Sequence, residues 1–140
     1  MNNLQRIKKT ELFINQAVSG GATQASAALN TEGMGDIEFF GVATASAGAA
    51  TAVKVEQSAD GSTGWTDVTD AALATFPAAA GDRFSIYVSW SGTGHEQYLR
   101  LSYTQSATNA ATVTAYAFAL PNNEAPITAA ERGNDHEAIT

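Results

Sequence analysis

The chain has 140 residues, 44% of them apolar, with 14 acidic against 7 basic side chains and a formal charge of −7. That length makes one domain with one core, and the acidity disfavours duplex nucleic acid, whose binders neutralise phosphates with excess Lys and Arg. The chain lacks cysteine, which excludes disulfide frameworks, thiolate metal sites and cysteine nucleophiles.

Of the apolar residues, 28 are Ala, so the core gains less burial per residue than a Leu- or Val-rich one would. No run approaches the roughly 20 apolar residues of a membrane helix, and the N-terminus has no signal-peptide apolar stretch. The expectation is a soluble chain made in the cytoplasm, with no membrane or nucleic-acid partner.

In chain order, MNNLQRIKKT (1–10) carries the basic cluster Arg6, Lys8 and Lys9 beside Leu4 and Ile7, and reads as an N-terminal arm, either solvated and frayed or docked on another subunit. ELFINQAV (11–18) is rich in strand-forming residues and places Leu12 and Phe13 next to that arm. TQASAALN (23–30) is a weaker strand. DIEFFGVAT (36–44) and AVKVEQS (52–58) are stronger ones, and Gly41 inside the former marks a bulge or a close backbone approach. ADGSTG then reads as a hairpin bend in which Asp60-Gly61 supplies positive φ, Trp65 to Thr69 forms a short returning strand, and Trp65 pins it to the core.

The Ala-rich pieces 43–52 and 70–81 have the composition of a helical turn, but their Gly and Pro argue for loops. RFSIYVSW is the clearest strand, with Phe84, Ile86, Val88 and Trp90 on one face and Arg83, Ser85, Tyr87 and Ser89 on the other. QYLRLSYTQ sets Leu99, Leu101 and Tyr103 opposite Tyr98, Arg100, Ser102 and Thr104. ATVTAYAFAL puts Thr112, Thr114, Tyr116, Phe118 and Leu120 on one side, with Val113 and alanines on the other. After Leu120 the alternation stops, and 121–140 reads as a C-terminal tail. The whole is therefore an all-β antiparallel β-sandwich or jelly roll of seven or eight strands, spanning 11–120 between arm and tail.

Catalytic chemistry has little to work with. His95 lies in a turn and His136 in the tail, neither a rigid mount for an oriented imidazole. The Gly-x-Gly pairs at 33–35 and 92–94 lack the third glycine and the βαβ setting of a dinucleotide loop. Asp60, Asp67 and Asp70 offer hard oxygen donors, but at no EF-hand spacing. No enzyme activity, cofactor or metal is expected. Tyr87 and Tyr98, on the more polar faces of neighbouring strands, are candidates for an exposed contact surface.

The run VEQSADGSTGWTDV, followed by YLRLSYT and ATVTAYAF, resembles the capsid cement, or decoration, proteins of short-tailed bacteriophages over residues 36 to 120. The resemblance implies a β domain on the virion exterior that ties neighbouring major capsid protein subunits together. It also implies self-association, as a dimer or on local threefolds as a trimer. The partner-contact candidates are then Leu4, Arg6, Ile7, Lys8, Lys9, Leu12, Phe13, Tyr87 and Tyr98. An alternative is a carbohydrate-binding β-sandwich of a tail or spike, with Trp65, Tyr87 or Tyr98 as its stacking platform.

Overall fold

The structure, a computed structural model, describes residues 7–89 and 94–121. Regular structure among them is entirely β: β1 (Lys8–Val18), β2 (Thr23–Ala25), β3 (Leu29–Asn30), β4 (Met34–Ser46), β5 (Ala50–Ser58), β6 (Thr66–Ala72), β7 (Asp82–Val88), β8 (Tyr98–Gln105) and β9 (Ala111–Pro121). The first sheet has the order β1-β9-β4-β7. The second has the order β2-β8-β5-β6, with β3 also paired to β8.

The pairings are nested. β5 pairs with β6, β4 with β7, β2 and β3 with β8, and β1 with β9, all antiparallel. The chain is thus a doubled ribbon folded back at the β5–β6 turn. Rolling that ribbon adds the β4–β9 and β5–β8 pairings and closes a two-sheet jelly roll. Nine strands appear where seven or eight were expected because segment 23–30 breaks into two short pieces, both lying along β8. The first strand opens at Lys8, so Lys8, Lys9 and Thr10, expected in the arm, belong to the sheet.

The core lies between the sheets. Phe13, Ile37, Phe39, Phe84, Ile86 and Val88 come from the first sheet, and Val53, Val55, Leu99, Leu101 and Tyr103 from the second. The rings of Phe84 and Tyr103 meet across it with centroids 6.1 Å apart. On β9 the inward face is the small one: Val113, Ala115, Ala117 and Ala119 are buried, while Tyr116 and Phe118 face outward and are only half covered. The alanines make room for the phenylalanines of their neighbours, an interdigitation that close packing requires. Gly41 completes that space. Its added Cβ would lie 2.3 Å from Phe84 Cζ, so what the glycine accommodates is a side-chain ring, neither a bulge nor a neighbouring backbone.

The ADGSTG turn is the tip of the doubled ribbon. Gly61 (φ 75°) and Gly64 (φ 66°) take the left-handed conformation that glycine adopts without strain. Asp60 contributes its carboxylate instead of a positive φ: Oδ1 accepts from the backbone N–H of Ser62 and of Thr63, both at 2.8 Å, and Oδ2 accepts from the Thr63 hydroxyl at 2.7 Å. Ser58 Oγ accepts from the Gly61 N–H at 3.1 Å and donates to the Thr63 carbonyl. Those bonds to the charged form hold the Asp60 carboxyl well below the usual carboxylate range, the Thr63 and Ser62 N–H groups contributing most.

Trp65 corrects its expectation. It lies outside the core, half-buried on the outer side of the second sheet, where the Arg100 guanidinium sits 4.2 Å from its ring centroid. The Ala-rich segments hold no helix. Residues 70–72 finish β6, and the following loop is fastened by Asp82, whose Oδ2 accepts from Ala78 and Ala79 N–H at 2.9 and 3.0 Å.

Candidate functional site

The outward face of the first sheet carries side chains that a solvated face ordinarily lacks. The register aligns them in rows across the strands. Lys9, Phe118, Glu38 and Tyr87 form one row, and Glu11, Tyr116, Phe40 and Ser85 the next. The Tyr116 and Phe118 rings stack at 6.2 Å with 19° between planes, and Phe40 leans on Phe118 at 6.3 Å. Three aromatic side chains thus make a continuous ridge down the middle of the face, on the two central strands.

Beside the ridge, toward β7, runs a groove of about 370 Å³ lined chiefly by apolar atoms of Ile7, Tyr87, Phe118 and Leu120, with Asp36 and Glu38 at its rim. Tyr87 is 73% exposed and Leu120 45%. Glu38 Oε1 accepts hydrogen bonds from Ser85 Oγ at 2.8 Å and Tyr87 Oη at 3.3 Å, and Asp36 Oδ1 accepts from Ser89 Oγ at 2.9 Å. Both carboxylates are therefore oriented by hydroxyls, Glu38 by those of β7 and Asp36 by Ser89, which follows that strand. Ile7 precedes β1 and Pro121 ends β9, and Lys8 pairs with Ala119, so the two ends of the described chain meet at the end of this face that holds the groove.

The opposite outer face is polar and internally paired. Arg100 Nε meets Glu56 Oε1 at 3.0 Å while its guanidinium covers Trp65, and Lys54 pairs with Asp67 at 2.7 Å. Tyr98 is half-buried, its ring packed against Gly61 of the turn. Since β7 and β8 lie in different sheets, Tyr87 and Tyr98 do not share a surface, contrary to the reading that set them on neighbouring strands.

Of the other expected contact residues, Ile7 and Lys9 reach the first-sheet face and Lys8 is exposed. Leu12 packs against the core and Phe13 is within it, 4% exposed. A contact role for Phe13 is overturned: the sheet turns it inward opposite Ala115. Leu4, Arg6, Trp90 and His136 lie outside the described residues. Phe40, Tyr116, Phe118 and Glu38 were missed. The signal was in the sequence, since Phe40 follows Phe39 and one of two successive strand residues must face outward.

The acidic residues singled out for calcium are occupied otherwise or set apart. Asp60 serves the turn, Asp67 pairs with Lys54, and Asp70 has φ 62° in β6. Among the described residues no three His, Asp or Glu side chains are placed to hold a metal ion. His95 Nδ1 lies 2.7 Å from the Glu96 carbonyl.

Fold and site together define a jelly-roll β-sandwich whose most distinctive surface is an aromatic sheet face with a shallow acidic-rimmed groove. No protein-family model and no curated protein matches the chain. Among solved structures, the PBSX exported protein XepA matches with a TM-score of 0.61 at 16% identity, over 100% of this chain and 44% of that one. At that identity the likeness is one of fold. The chain spans less than half the length of that neighbour.

Proposed function

We propose that the chain is a structural virion protein of a tailed bacteriophage that binds the outside of an icosahedral capsid and bridges major capsid protein subunits. The observation that carries the proposal is the Phe40–Tyr116–Phe118 ridge, an apolar strip on a face turned to solvent. Such a strip on an otherwise polar, acidic protein marks a surface that another protein covers. The sequence resemblance to capsid cement proteins supports this, and so does the fold likeness to a phage-related protein.

Function on this reading consists of binding, without bond-making chemistry. A protein that binds only the assembled, expanded shell stabilises that state by RT ln(1 + [L]/Kd) per site, about 2.7 kcal/mol at a hundredfold excess over Kd. Repeated over a lattice, modest affinity is enough. The test is co-sedimentation of purified chain with expanded and unexpanded shells of its own phage. Binding to expanded shells with a raised disruption temperature supports the role, and shells equally heat-tolerant without the chain refute it.

Glycan adhesion is a second reading favoured by one observation: Tyr87 stands 73% exposed beside the carboxylates of Asp36 and Glu38, a stacking ring next to hydrogen-bond acceptors. A glycan array without hits removes it.

A further inference from the structure

Each sheet ends in strands whose outer backbone groups pair with no other described strand, and three of these four edges are blunted. β1 carries two register shifts and Asn15 at φ 45°. β2 and β3 are three and two residues long. β6 has a register shift opposite β5 and places Asp67 and Asp70 along its length, so that a second β6 would meet like charge. Irregularity, shortness and charge are the usual protections of an exposed edge. β7 is the least protected: it pairs with β4 through seven consecutive residues, Asp82 to Val88, without interruption, and its only charges, Asp82 and Arg83, sit at its first two positions.

Two features at opposite ends of β7 complement each other. Arg83 at its start is exposed on the outer face and has no ion-pair or hydrogen-bond partner among the described residues. At its far end Tyr87 stands beside Glu38 at the acidic rim of the groove. Along one strand they are four residues, roughly 13 Å, apart, farther than an arginine side chain reaches. We propose that two copies of this chain pair antiparallel through β7, with the twofold axis at Ser85, making one eight-stranded sheet across the dimer.

That axis sets Arg83 of each copy opposite Tyr87 of the other, on the same face and next to Glu38. An arginine over a tyrosine ring with a carboxylate nearby is favourable, and symmetry makes the contact twice. Phe84 and Ile86 face each other across the seam on the inner side, so the two cores become neighbours. A second copy is the occupant because the edge carries its own complement in the correct register. The pairing leaves the aromatic ridge on the two central strands uncovered, and it does not depend on capsid binding.

The full chain tests it directly. Size-exclusion chromatography with light scattering is expected to give twice the 14.5 kDa chain mass. Tyr87→Lys, which sets like charges together at an exposed site, weakens dimerisation by about tenfold or more. Adding Arg83→Glu to that variant sets opposite charges across the seam and restores the dimer. As a check independent of those variants, Ser85→Cys in this cysteine-free chain gives a disulfide-linked dimer under mild oxidation, whereas Ser62→Cys in the β5–β6 turn does not. A chain that remains monomeric at high concentration, as expected if the edge takes a strand from a different protein, overturns the proposal. So does a dimer indifferent to the changes at 83 and 87.

Discussion

Gly41 is the position where one methyl group decides the packing. A Cβ there would fall 2.3 Å and 2.7 Å from two atoms of the Phe84 ring, and that ring is held between the sheets against Tyr103. Gly41→Ala is expected to lower stability by about 1–3 kcal/mol, measured as a fall in denaturant midpoint at unchanged slope. Combined with Phe84→Leu, which frees the space, the loss is smaller than the sum of the two single losses. Tyr103 presents the reverse case. Its hydroxyl is buried with no hydrogen-bond partner among the described residues, and burial, helped by the Asp82 charge, raises its pKa. Tyr103→Phe removes an unsatisfied donor, so stability is unchanged or higher by up to about 1 kcal/mol, read from the same melts.

Asp60 belongs to the residue scale too, because its effect depends on protonation. Its carboxyl is held below the ordinary value of 3.8 by the turn's N–H and hydroxyl donors. The unfolded chain therefore takes up a proton before the folded one does. The contribution is present in full above the unfolded pKa and is lost as pH falls below about 4 toward the depressed folded value. Asp60→Asn removes this term, so urea melts between pH 5 and 2 are expected to show a shallower decline in stability for the variant than for the native chain. Parallel slopes would mean that the turn's hydrogen bonds do not survive in solution.

At the scale of the element, β9 shows what the sequence made legible and what it did not. Alternation in ATVTAYAFAL defined the strand and its two faces correctly, and the same was true of β7 and β8. Which face pointed inward was not readable, because the bulkier, more apolar set of Tyr116, Phe118 and Leu120 turned out to be the outer one. That orientation follows from the register with β4, which places Ala117 beside Phe39 and Ala115 beside Gly41, a non-local fact that no single segment holds. The candidate surface was accordingly half visible: Tyr87, Ile7 and Lys9 were identified, and the ridge they border was not. Because the ridge is only half covered, Phe118→Ser is expected to cost about 1 kcal/mol of stability or less, measured by thermal melting. The same change should abolish particle binding, which separates an adhesive ridge from a structural one.

For the whole molecule, the nested pairings tie topology to the midpoint turn. The β5–β6 hairpin is the local contact from which a doubled ribbon can zip outward through β4–β7 and β2–β8 to β1–β9. The last of these joins the two ends of the described residues at the groove. The jelly roll thus gives one sheet a solvent-facing aromatic surface and gives the other a self-contained network of Arg100, Glu56 and Trp65. On the proposed role, this asymmetry between faces suits a one-sided brace. The most direct measurement is co-sedimentation of the native chain and a Phe40→Ser/Phe118→Ser variant with expanded shells assembled from the coat protein of the same genome. Saturable binding by the native chain, lost in a variant that melts as a folded protein, is the expected result; equal binding by both, or none by either, would contradict the account.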